Sequence, residues 1–181
     1  NQYIGLKGFN LEEHFRHLVP IPMTVGNDMN FLTMGCWAQK HPDAGSLVTL
    51  FMGGNGIGGG MVINGRLWTG ASGYCSEVGF LPVYERLNKG SLGLPPAEHI
   101  SELYARLIQI YAVTVNPHMM VLYRHPLLEG RLDEIRRLCA SYLPSKAIPS
   151  IELSYDYQQD YEKGLFTVAK SMGQAVSEGG L

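Results

Sequence analysis

The stretch LVTLFMGGNGIGGGMVINGRLW, residues 47–68, constrains the fold of this chain more tightly than any other part. An apolar run stops at Gly53-Gly54-Asn55-Gly56-Ile57-Gly58-Gly59-Gly60, resumes as Met61-Val62-Ile63 and turns at Asn64-Gly65. Six glycines in eight residues remove Cβ atoms where two strands meet. The backbone is then free to bend sharply and to bring its own N–H groups against a ligand. Asn-Gly between alternating apolar residues is a strong hairpin signal. The stretch therefore predicts a strand, a glycine-rich turn, a second strand and a tight hairpin into a third. A flexible linker would not be flanked by Leu, Val, Phe and Ile.

Around this hairpin, helical and extended patterns alternate. Asn10 followed by Glu13 reads as a helix start with a reciprocal cap. Leu11, Phe15 and Leu18 share one face of that helix, and Pro20 ends it. Residues 21–25 read as a short strand, 26–28 as a turn and 29–38 as a helix. His41 to Gly45 is a loop, and residues 70–79 are small and polar, an ordered loop or a single helical turn. Residues 87–96 read as an exposed connection into a long helix reaching about Val115, with Pro96 at its first turn. Ile100, Leu103, Tyr104, Leu107, Ile108 and Tyr111 form its apolar stripe. A strand at 119–122, a helix at 127–141, a strand at 148–153 and a helix at 160–172 complete the chain. Such alternation places it in the α/β class.

Composition excludes several kinds of function. The 181 residues suit one domain, 1–181, and 45% hydrophobic content is enough for a core. A net charge of −2 leaves no electrostatic footprint for nucleic acid. No apolar run approaches the ~20 residues that span a bilayer, and no signal peptide is visible. Cys36, Cys75 and Cys139 show no CxxC spacing, which fits reduced thiols and a cytoplasmic location. The chain begins at Asn1 without an initiator Met, as an excised fragment would.

Two places offer carboxylates to a ligand. Asn27-Asp28-Met29-Asn30 stands where an extended segment meets a helix, a position at which an Asn or Asp caps free N–H groups. It is also the mouth of an α/β sheet, where ligands bind. Glu77, in Ser76-Glu77-Val78-Gly79-Phe80, is the second candidate; together with Asp28 it would grip a polyol, since carboxylates accept from hydroxyls. The six histidines show no HxxxH or HxH pattern and read as surface or packing residues. No G-x-S-x-G elbow and no P-loop occurs.

Taken in order, NDMN at 27–30, GGNGIGGGMVINGRLWTGASG at 53–73 and SEVGF at 76–80 resemble the ROK family of bacterial repressors, open reading frames and sugar kinases. Its pattern has an NDAN-like element, a GTGIGGG phosphate turn leading into an I-N-G hairpin, and a GEIGH element. The resemblance implies a ribonuclease H-like lobe of the actin-like ATPase and sugar kinase superfamily, a mixed sheet flanked by helices. It implies that Asp28 is the general base of a kinase, that Asn27, Asp28 and Glu77 bind the sugar, and that Gly54, Asn55, Gly56 and Gly58 cradle nucleotide phosphates. ATP and magnesium would be needed only by a kinase.

Departures from the family pattern modify those implications. The D-x-G-x-T loop belongs to an N-terminal lobe that this chain does not contain. Phe80 replaces the family His, Asn55 the Thr of the phosphate turn, and LPVYERLNKGSLG the cysteine-rich segment that holds zinc, so zinc is not expected. Tyr123-Arg124 stands where the family has Gly-Gly against the adenosine, and bulky side chains there should crowd a nucleotide. A retained sugar-facing Asp and Glu beside an eroded nucleotide site implies the sugar-sensing effector lobe of a ROK-type transcriptional regulator without kinase activity. The alternative is the C-terminal lobe of a divergent, glucokinase-like sugar kinase. The expected partners are a sugar or sugar phosphate and a second copy in a homodimer. DNA would be reached only through a segment outside these residues, and no membrane is expected.

Overall fold

The computed structural model describes residues 8–19, 21–54, 56–83 and 96–178, with side chains as far as Gly173 in the last helix. Its centre is the predicted hairpin. Strands β1 (Ser46–Gly53) and β2 (Gly56–Ile63) pair antiparallel, with Val48 opposite Met61 and Gly53 opposite Gly56. Asn64 and Gly65 both have positive φ, +51° and +71°, the backbone a two-residue hairpin of the right twist demands. They turn the chain into the short β3 (Arg66–Leu67). Strand β4 (Met119–Tyr123) lies parallel to β1, and β5 (Ser150–Ser154) lies parallel to β4. The sheet order is thus β3-β2-β1-β4-β5, mixed in direction as expected.

Period-two alternation along β1 and β4 divides the core between two faces. Leu47, Val121 and Tyr123 face one side, where they meet Met29, Leu32 and Cys36 of helix α2 (Asp28–Lys40). Val48, Leu50, Met52, Met120 and Leu122 face the other. There they pack on α3 (Ile100–Thr114) and on Ile135 and Cys139 of α4 (Leu132–Tyr142). Helix α5 (Tyr157–Glu178) lies against α2 as an outer layer.

Glycine makes the α2–α5 crossing possible. A Cβ at Gly35 would stand 1.7 Å from the carbonyl oxygen of Asp160, and one at Gly164 would stand 1.8 Å from that of Phe31. Each helix therefore offers the other a bare backbone.

A buried charge locks the same pair. Asp160 is fully buried, and its Oδ2 accepts from Lys40 Nζ at 2.7 Å and from the Tyr123 hydroxyl at 2.6 Å. Lys40 also reaches Ser154 Oγ at 3.1 Å and Asp156 at 3.1 Å. Burial lowers the Lys40 pKa, but its bonds to Asp160 and Asp156 outweigh that and raise it.

Several element boundaries differ from the sequence reading. Residues 21–25 form no strand: they pair with none among the described residues, and Ile21 and Val25 are exposed. An extended segment without a ladder partner leaves its N–H and C=O groups to water. The first helix, α1 (Leu11–Arg16), stops before Pro20, although Asn10 Oδ1 does accept from the Glu13 N–H at 3.1 Å. The helix expected at 127–141 is a 3-10 turn at Pro126–Leu128 and then α4, separated by Gly130 at φ +71°. Likewise Ala97–His99 is a 3-10 turn preceding α3. Helix α5 starts at Tyr157, earlier than expected, and extends past Met172. The connection expected from residue 87, and most of the segment replacing the cysteine-rich loop, lie outside the described residues.

Candidate functional site

Asp28 is the first residue of α2, and Asn27 caps that helix, its Oδ1 accepting from the Met29 N–H at 2.9 Å. The same N–H also reaches Asp28 Oδ1 at 2.8 Å. One oxygen of Asp28 is thereby fixed at the positive end of the helix, where a carboxylate is favoured. Its Oδ2 accepts no hydrogen bond among the described residues.

The glycines of β2 place this helix end against the sheet. A Cβ at Gly60 would lie 2.0 Å from Thr33 Oγ1 and 2.7 Å from the Met29 carbonyl oxygen, and one at Gly58 would lie 2.8 Å from Met29 Cγ. On the opposite face of the strand, a Cβ at Gly59 would lie 2.9 Å from the Ser76 carbonyl oxygen. Alternate glycines therefore admit α2 on one side and the Glu77 loop on the other. Ser76 itself adopts φ +68°, which bends the loop just before Glu77.

The result is an open cleft of about 410 Å³. Asp28, Met29, Phe51, Glu77 and Phe80 line it together with Gly54, Gly56 and Gly58. A volume of this order suits a small molecule. Asp28 and Glu77 are thus brought to one cavity, and so are three of the four residues expected to meet phosphate. Asn55, the fourth, lies outside the described residues. Asn27 does not line the cleft, and with its Oδ1 engaged as a cap only its Nδ2 is free to turn toward a ligand.

Sequence reasoning missed the aromatic wall. Phe51 follows Leu47 and Thr49 on the α2 side of β1, and the ring of Tyr157 sits 4.4 Å from its own. Tyr157 stacks in turn on Tyr161, at an interplanar angle of 4°. Burial first, and then the charge of Asp28, pushes the Tyr157 hydroxyl pKa up. The period-two position of Phe51, directly before the glycine run, was the available signal.

A second, smaller hollow of about 220 Å³ opens on the far side of Glu77. Met61, Tyr74, Cys75, Val78, Leu81, Ile110 and Val115 make it predominantly apolar, and Glu77 borders both spaces. Tyr111, also in its wall, is bonded to Ser76, and burial pushes its pKa up to about 12.

Tyr123 and Arg124, expected to crowd a nucleotide, are both engaged in contacts of the fold. Tyr123 is fully buried on the α2 side of the sheet with its hydroxyl on Asp160, while Arg124 pairs with Glu129 at 2.6 Å. Neither lines the cleft. Three histidines are tied into local structure: His118 to Ser46 at 2.8 Å, His125 as a cap for the Leu127 N–H, and His41 near Glu152 at 3.5 Å. Among the described residues no cluster of three His, Cys, Asp or Glu could hold a metal, and no helix is long and apolar enough to cross a membrane.

Comparison with known proteins bears on this geometry. The sequence model described as the ROK family matches residues 1–96, more than half of the chain. A glucokinase of Halalkalibacterium halodurans is 31% identical over 80 residues, which are 44% of this chain and 24% of that enzyme. The match thus spans about a quarter of the curated relative. Among solved structures, a ROK hexokinase from Thermus thermophilus superposes with a TM-score of 0.66 at 16% identity, covering 88% of this chain and 70% of that one. A ROK family protein from Streptococcus pneumoniae TIGR4, solved in complex with sucrose, superposes with a TM-score of 0.62 at 16% identity, covering 86% and 68%. These likenesses establish the fold as the ribonuclease H-like one of actin-like ATPases and sugar kinases.

Proposed function

The chain belongs to the ROK family, and from that membership and the cleft shared by Asp28 and Glu77 we propose that it forms the sugar-binding lobe of a kinase that phosphorylates a sugar hydroxyl. The observation that carries this reading is the meeting of two carboxylates and the glycine tip of the β1–β2 hairpin in one 410 Å³ space. Asp28 holds one oxygen on the helix end and lines the cleft, so that its other oxygen would take a proton from an attacking hydroxyl. Glu77 accepts from a second hydroxyl and fixes the ring. Phosphoryl transfer rests chiefly on such positioning and on charge neutralisation.

A nucleoside triphosphate with its magnesium would supply the phosphoryl group and that neutralisation. The hairpin tip fits it: a Cβ at Gly54 would meet nothing within 4 Å, so the backbone there is open to phosphate oxygens. Gly56 and Gly58 line the same side.

The named relatives and neighbours include a glucokinase and a hexokinase, which moves the regulator reading to second place. That reading keeps one observation of its own: Phe80 is 78% exposed at the cleft where the family pattern has a polar His. A sugar-sensing lobe would bind at the same carboxylates and turn nothing over. Pairing through this lobe is part of the proposal, and light scattering of the full-length protein tests it, a monodisperse monomer counting against it.

The deciding experiment is a coupled ADP-release assay on the full-length protein with a panel of hexoses and amino sugars. Turnover that falls ~10²–10⁴-fold in Asp28→Asn is expected of a general base. Sugar binding without turnover would favour the sensing lobe, and neither binding nor turnover would overturn both.

A further inference from the structure

We infer that the ligand is a sugar carrying an apolar aryl or alkyl substituent, its hydroxyls held by Asp28 and Glu77 and its substituent received by Phe80, Tyr74 and the apolar hollow behind Glu77. This inference rests on the sugar-binding reading above and adds the class of sugar.

Glu77 lines both spaces. On the cleft side the wall beyond Glu77 is Phe80, and on the hollow side it is Tyr74. Their rings lie 6.2 Å apart at an interplanar angle of 59°, a tilted pair within ordinary aromatic contact distance. Both are far from buried, Phe80 at 78% and Tyr74 at 68% exposure. Large aromatic side chains left open to water beside the two carboxylates offer apolar surface for a ligand to cover.

The hollow continues that surface. Val78 and Leu81 belong to the turn that carries Phe80, while Ile110 and Val115 come from the last turns of α3 and its end. Apolar lining of this kind rewards a group that leaves water and offers little to a hydroxyl. A polyhydroxylated ring on one side of Glu77 and an apolar group on the other match the division of the two cavities.

The test is calorimetric titration of the full-length protein with glucose and with its phenyl α- and β-glycosides. At least one phenyl glycoside is expected to bind fivefold or more tightly than glucose. That advantage should collapse to within twofold in Phe80→Ala, and in Thr114→Trp, which fills the hollow from the exposed end of α3. Equal affinity for glucose and both glycosides in the parent protein would overturn the inference, as would an advantage that survives both substitutions. Binding of every sugar lost in Asp28→Asn, but with no preference for glycosides, sinks this inference and leaves the sugar site standing. Titrations that find no sugar binding at all overturn both.

Discussion

Two kinds of glycine are distinguishable at the level of single residues. Gly35 and Gly164 are buried against backbone that cannot move aside, since the groups their Cβ atoms would strike are carbonyl oxygens of the facing helix. Gly35→Ala should therefore cost ~1–3 kcal/mol or more, read as a lowered midpoint in urea unfolding with an unchanged slope. Gly54 has open space around it and no positive φ. Gly54→Ala should leave the urea midpoint within the small shift of a surface change. A fall in turnover in that variant would then report a lost ligand contact, not a lost fold. Sequence alone could not separate the two kinds. The density of the run at 53–60 predicts a glycine-rich turn between two strands that meets a ligand, but not which glycines face protein. Gly58, Gly59 and Gly60 in fact admit a helix on one side and the Glu77 loop on the other.

Helix α2 is the element on which the site depends. It carries Asp28 at its first residue and Lys40 at its last, so the ion pair that holds one end fixes the direction of the other. Lys40→Met would leave the Asp160 carboxylate buried with only the Tyr123 hydroxyl on its bonded oxygen. Breaking a buried pair from one side costs about 3 kcal/mol or more, measurable by urea unfolding. The paired Lys40→Met/Asp160→Leu variant should recover part of that loss, because no stranded charge remains. The hairpin, α3 and the two later strands were legible because apolar periodicity and the Asn64-Gly65 turn agree there. Residues 21–25 alternate in polarity as a strand does, but alternation says nothing about a partner strand, and none pairs with them among the described residues. The α2–α5 pairing was invisible too, since it joins residues about 125 apart through two glycines with no local signal.

For the molecule as a whole, the titrating groups of the core point one way. Burial pushes Cys36 from 9.0 up to about 12 and Cys139 from 9.0 up to about 11. Tyr111 rises from 10.0 to about 12, and Tyr123 and Lys40 rise as well. Each group keeps its proton in the fold at pH values where the unfolded chain has lost it. Stability is then fully present below about pH 9 and falls as pH rises from there toward 12, because the native state binds more protons than the unfolded one. Thermal melts from pH 7 to 11 should show a Tm nearly level to pH 8.5 and declining above 9; a Tm that climbs across that window would contradict the buried network.

The candidate site was only half legible in the sequence. Asp28 and Glu77 could be named from motif order, but Phe51 at the cleft is backed by Tyr157, from a helix start about 106 residues away. The proposed site requires Asp28 and Glu77 to read hydroxyls of one bound sugar. A double-mutant cycle on sugar affinity with Asp28→Asn, Glu77→Gln and the pair measures that directly. Contact through a shared ligand predicts losses that fail to add by 0.5 kcal/mol or more. Losses that add within ~0.3 kcal/mol, or a Glu77→Gln that binds sugar as the parent does, would contradict it.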